Sequence, residues 1–313
     1  VLPDVTDLAN TISLTPAKAI GIPIALVGAV FLAIGAQLQH RGVVKVETQS
    51  ETRSSGGLRL GQLFALLRRP SWVFGTLLLG LAVVFQLTSL YFAPIIVVQP
   101  LGAIALIITA VVNARVSGVR LTRRAIRSIS FCIVGVGLFV TIATITGQSK
   151  EISQTELVIV LVLLVVITVA FAIVFALLRK RFEAIIYIVG AGVLYGFVAT
   201  LAKVVIDRIH TLFIGASDTH GFEWLTLTCV IALIAAAAMG GYFVQSAYSS
   251  GPPDLVIAGL TVIDPLVAVS IGIVVLQEAA DAPWYAIVAF IVAGILAVYG
   301  VFQLSKHHPQ TQH

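Results

Sequence analysis

Charge is what this chain has least of: only 11% of its 313 residues are Asp, Glu, Lys or Arg, against about a quarter in an ordinary soluble domain. So few charged groups could not keep a folded surface of this size in water, and a soluble globular domain is excluded. Cysteine is equally scarce. Cys132 and Cys229 both fall inside apolar runs, which reads as packing and not as a disulfide or metal pair. A Gly-rich phosphate loop before a helix is missing, which argues against ATP-driven pumping. Neither a Ser/His/Asp set nor a pair of acids suggests catalysis, so the chain reads as no enzyme and as needing no cofactor. His210 and His220 lack metal-ligand spacing.

What is present is apolar sequence, 59% of residues, with a mean hydropathy of +1.06. Runs of about 20 apolar residues alternate with short polar segments, the length a helix needs to cross a bilayer, whereas the short alternating strands of a β-barrel do not occur. The fold class expected is an all-α polytopic membrane protein of about nine spans, near residues 19–38, 71–91, 95–114, 128–145, 157–178, 184–206, 224–248, 255–276 and 284–304. Residues 1–18 read as an exposed leader. The segment 41–70 is too polar to cross, although its stretch 58–67 has the pattern of an interfacial helix as much as of a loop. Trp72, Trp224 and Trp284 mark span starts, as interfacial aromatics do.

The net charge of +5 then reports topology and not nucleic-acid binding. With the N-terminus outside, 15 of the 19 basic residues fall on the inner side, among them Arg68, Arg69, Arg115, Arg123, Arg124, Arg127 and Arg179 to Arg181. The expected orientation is an external N-terminus and a cytoplasmic C-terminus. The Ala- and Val-rich, Lys-poor composition suggests a bacterial inner (plasma) membrane, with lipids and a transported solute as the partners.

One stretch is used twice. QPLGAIALIITAVVN, Gln99 to Asn113, is echoed by DPLVAVSIGIVVLQE, Asp264 to Glu278. Each copy has a polar residue before a proline, an apolar run, and a second polar residue at its far end. Proline removes a backbone donor and frees a carbonyl, which a membrane tolerates where neighbours, water or a cavity satisfy it. The two copies enter the membrane from opposite sides. This predicts inverted repeats, residues 1–150 with spans 1–4 and 151–313 with spans 5–9, and a site between them near the midplane. The missing tenth span is expected in the 41–70 segment.

The run YFAPIIVVQPLGAIALIITAV, Tyr91 to Val111, resembles the NIPA-type magnesium transporters, a branch of the drug/metabolite transporter superfamily with its EamA-like fold. The likeness extends to the missing span after helix 1, to Lys203 in span 6 and to the segment ending at Gln277 and Glu278. It implies a drug/metabolite transporter architecture with Mg²⁺ as substrate. Where that family tends to have Thr before each proline, this chain has Gln99 and Asp264, and Gln37, Gln39, His40 and Arg41 follow its first helix. The superfamily also moves sugars, amino acids and drugs, and fold does not fix substrate.

Asp264 is the one acid deep within an expected span, where an ionisable group is costly and functional by default. It is a candidate cation ligand or proton carrier; the plainer alternative is a partner for Lys203 or for backbone freed by Pro265. Lys203 is a counter-ion, a contact for an anion, or a snorkelling boundary residue. Gln86, Gln99, Gln245 and Asn113, with Thr88, Ser89 and Ser246, are candidate cavity-lining groups or interhelical glue. Glu278, beside Asp281, is expected as a solvated boundary charge or an entry group. Pro94, Pro100 and Pro265 are the expected helix breaks. Three functions follow: a divalent-cation transporter; a proton-coupled exporter or flippase of an organic or lipid-linked anion; and a membrane scaffold without transport.

Overall fold

A computed structural model describes residues 16–47, 68–116, 122–148, 152–178, 184–214, 224–250 and 253–306, without some helix-end side chains and that of Asn113. Residues 1–15 of the expected leader and the candidate interfacial stretch 58–67 lie outside these residues, and the leader's last three, Pro16 to Lys18, open the first helix. The described residues form ten helices: α1 (Pro16–Glu47), α2 (Pro70–Phe92), α3 (Ile95–Leu101), α4 (Ala103–Val116), α5 (Arg123–Thr146), α6 (Gln154–Leu178), α7 (Ala184–Ile214), α8 (Trp224–Ser250), α9 (Pro253–Val274) and α10 (Trp284–Lys306). Taken with α3 and α4 as one, nine are long and apolar enough to cross a membrane. The expected count holds for the described residues, and the belt of exposed Val83, Val84, Val165, Val166, Ile291 and Ile295 is what acyl chains would solvate.

Several ends differ from expectation. α1 continues through His40 and Arg41 to Glu47, α7 runs eight residues past Ile206, and the arginines 123, 124 and 127 stand in α5 and not in a loop. Polar turns extend a helix beyond the hydrocarbon slab, and apolar run length reports only the slab. Two starts are capped. The Thr122 hydroxyl accepts from the Ala125 N–H at 3.2 Å, and Ser153 and Glu156 bond each other's N–H groups reciprocally at 3.3 and 2.7 Å.

Glycine sets the packing. On α1, Gly21, Gly28 and Gly35 recur every seven residues and face α2: a Cβ on Gly28 would lie 3.1 Å from that of Phe85. On α7, Gly192 and Gly196 face Ile263 and Val267 of α9, each 2.7 Å from where a Cβ would stand. α5 lies on α10 with Gly135 against the backbone of Ala293 and Ala297 and Gly300 against that of Cys132. α3 packs on both α5 and α9, and α6 only grazes α7 and α8. α3, α7 and α9 therefore enclose the middle of the bundle. Val97, Val98, Leu194 and Leu201 are fully or almost fully buried there.

The two copies of the repeated stretch fold differently. Span 3 is divided into α3 and α4 at Gly102, which keeps helical dihedrals (φ −57°, ψ −30°) while its N–H bonds back to Gln99 O at 3.1 Å, a local tightening of the helix. α9 runs through Pro265 without interruption.

A candidate transport site between α3 and α9

Pro100 and Pro265, the residues that define the repeat, line one cavity of about 70 Å³ with Val136, Phe139, Val262 and Val269. Asp264, next to Pro265 in α9, is not among the lining residues: its backbone lies against Gly192 of α7, and Tyr195 is within electrostatic range. The Oδ1 of Asp264 is shut off from solvent and has no hydrogen-bond partner. A buried carboxylate oxygen is normally bonded, because leaving it bare costs its full desolvation penalty.

The expected Asp264–Lys203 pair is not formed. Lys203 is buried, and its ammonium donates to Leu90 O at 2.7 Å and pairs with Asp207 at 3.2 Å, one turn along α7. Snorkelling to the headgroups is overturned by the same contacts. Pro94 explains the Leu90 bond. In a continuous helix the carbonyl of Leu90 would receive the N–H of residue 94, but proline has none, so Lys203 takes its place.

Glu278 is not a solvated boundary charge either: it is 4% exposed. Its carboxylate accepts the N–H groups of Ile95 and Ile96, both at 2.9 Å, the first two amides of α3. Its own N–H bonds Gly272 O at 2.9 Å, and its carbonyl accepts from the Gln148 N–H at 2.7 Å. Burial pushes the Glu278 carboxyl above its ordinary value, against the pull of the Ile96 and Ile95 amides and of Lys203, with Asp207 adding to the rise.

Of the neutral candidates, Gln99 is buried in α3, Gln86 half-buried in α2 and Gln245 exposed on α8. None of the three bonds Asp264 Oδ1. Thr88 and Ser246 hydroxyls bond carbonyls one turn back in their own helices, and Ser89 donates to Gly21 O of α1 at 2.9 Å. Asn113 stands in α4, its side chain outside the described residues. Among the described residues, no group of three or more His, Cys, Asp and Glu comes together that could hold a metal ion.

Residues 17–309 match the family described as magnesium transporter NIPA. The chain belongs to that family. An uncharacterized protein of Corynebacterium glutamicum is 26% identical over 283 residues, covering 90% of this chain and 93% of its own. No solved structure matches the chain. Membership of the NIPA family, together with the bundle of membrane-length helices, gives this protein a membrane-transport role. The segment that carries the family likeness in sequence, Tyr91 to Val111, is bonded near its start by Glu278, and Lys203 bonds the carbonyl just before it.

Proposed function

We propose that the protein is a secondary transporter that moves a divalent cation, Mg²⁺ by its family, through alternating access around α3 and α9. The observation that carries this is the bare, buried Oδ1 of Asp264 beside Pro265. Mg²⁺ retains much of its hydration and is bound through one or two carboxylates, a demand that a single acid among waters and amides can meet. The cavity of about 70 Å³ between Pro100 and Pro265 is lined mostly by apolar side chains and does not include Asp264, so the carboxylate and not this cavity is the proposed ion ligand.

An inverted-repeat, EamA-like architecture is supported by the pairing of like with like, α3 on α9 and α5 on α10, and by the two prolines lining one cavity. Exposed Arg68, Arg115, Arg123, Arg124 and Arg127 fringe the face opposite the start of α1, which supports placing that face in the cytoplasm. A second reading, an amphiphilic or lipid-linked solute, is favoured by one feature. An apolar groove of about 590 Å³ along α9 and α10 shares Phe139, Leu266, Gly294 and Val298 with the cavity.

Purified protein reconstituted in vesicles with a Mg²⁺-sensitive dye inside tests the reading. Uptake that follows the Mg²⁺ gradient and drops at least about tenfold in Asp264→Asn is the expected result. No uptake, with a melting shift on adding a polyprenyl phosphate instead, would move the assignment to the second reading.

A further inference from the structure

The α2–α3 junction at Ala93–Pro94 leaves exposed backbone on both sides, a carbonyl at Leu90 and amides at Ile95 and Ile96. Opposite charges from two other parts of the chain cover them. Lys203 of α7 bonds the carbonyl and Glu278 of the α9–α10 loop bonds the amides. The two are close enough to attract, and Asp207 completes the buried group. Each sign stands where a helix end favours it, the cation at a C-terminus and the anion at an N-terminus.

Other contacts gather at this same end of the bundle. Lys18 of α1 donates to Thr144 O and Gly147 O at the end of α5, and Gln148 donates to Asp281 at 2.9 Å. Gln277, with φ of 51°, turns the chain so that Glu278 points back, a left-handed conformation that residues with a Cβ seldom hold. Strain of this kind clusters at switch regions among other functional sites, and buried charge pairs add little stability over apolar packing. The groups released by opening this face are a carbonyl, two amides and three charges, all of which water would satisfy.

We propose that Lys203 and Glu278, closing together on the α2–α3 junction, are the gate of the transport path at this face, and that the structure is the state closed there. The proposal rests on the transport reading only in taking α3 and α9 as the path.

The test reads accessibility and needs no substrate. In a background with Cys132 and Cys229 replaced by Ser, Gln99→Cys reports on the path and Ser153→Cys, exposed at the closed face, on sidedness and total labelling. A membrane-impermeant maleimide is applied to vesicles from each side. The Gln99→Cys reporter is expected to be shielded from the closed face. Glu278→Ala and Lys203→Met are each expected to speed its labelling from that face by about tenfold or more. Lys203→Arg, which keeps a donor for Leu90 O, and Asp207→Asn, which spares both helix-end contacts, are expected to leave it slow. Unchanged labelling in Glu278→Ala and Lys203→Met would overturn the gate, as would equal acceleration by Asp207→Asn. Acceleration from both sides alike would also overturn it, since that reports a loosened bundle. Should the two variants fail to fold, Glu278→Gln, with one acceptor left, is expected to label at an intermediate rate from the closed face alone; a rate no different from the parent would sink the proposal. Asp264→Asn is expected to leave all these rates alone, so loss of transport and loss of gating are separable.

Discussion

At the scale of single residues, Asp264, half-buried with one oxygen shut off, and Glu278, buried throughout, are two acids treated in opposite ways. Glu278 has both oxygens bonded to backbone amides, and Asp264 has one oxygen with nothing. Asp264→Asn therefore removes a costly charge without cutting a contact of that oxygen. Its thermal unfolding in detergent should be at or above the parent's, by up to about 1–3 kcal/mol, while transport is lost. A clear drop in melting temperature would make the carboxylate structural. Glu278 should show itself through pH. Its carboxyl lies above its ordinary value in the folded protein, so the fold binds that proton more tightly than the unfolded chain does. Its contribution is full below the unfolded value of about 4.3 and is lost as pH rises through the folded value. The difference in melting temperature between the parent and Glu278→Gln should accordingly change across that window and level off above it. Asp264 was legible in the sequence as a candidate because an acid inside an apolar run stands out unaided. The roles of Lys203 and Glu278 were not, since each depends on a partner 113 or more positions away. One clue was available: a proline at 94 means that Leu90 needed a donor from elsewhere.

At the scale of helices, glycine position separates contact from mere composition. Gly135 on α5 would drive a Cβ into the backbone of α10, whereas Gly137, two residues along, faces open space. Gly135→Ala should cost about 1–3 kcal/mol through overpacking, and Gly137→Ala should be neutral or stabilise by up to about 1 kcal/mol through helix propensity. Denaturation in mixed detergent of the pair compares them directly; equal effects would mean that α5 does not meet α10 at Gly135. Helix number was readable because span length is fixed by the bilayer. Helix ends were not, since a polar turn such as Gln37 to Glu47 is equally compatible with loop and with helix. The division at Gly102, after Pro100, and the lack of one at Pro265 were also hidden, because sequence shows that a donor is missing and not whether the neighbours make up for it.

At the scale of the whole molecule, the bundle is tied at one end by side chains from α1, α5, α7 and the α9–α10 loop. Some ties lie within the first half, such as Lys18 to the end of α5, but others cross: the end of α2 is held by Lys203 of α7, the start of α3 by Glu278 beyond α9, and α5 packs on α10. Residues 1–150 expressed alone should insert but fail to pack, and residues 151–313 co-expressed with them should restore a protease-resistant complex. Limited proteolysis of membranes carrying one or both halves would decide this, and a resistant first half on its own would count against it.

The bond from Glu278 to Ile95 also has a consequence in time. The donor and acceptor are 183 residues apart. At a synthesis rate of roughly 5–20 residues per second, the amides at the head of α3 wait roughly ten to forty seconds for their acceptor. Throughout that interval the amides of Ile95 and Ile96 have no acceptor from Glu278, while the donor for Leu90 O, 113 residues along, is made sooner. The α9–α10 loop is thus the last piece to complete the junction at Pro94.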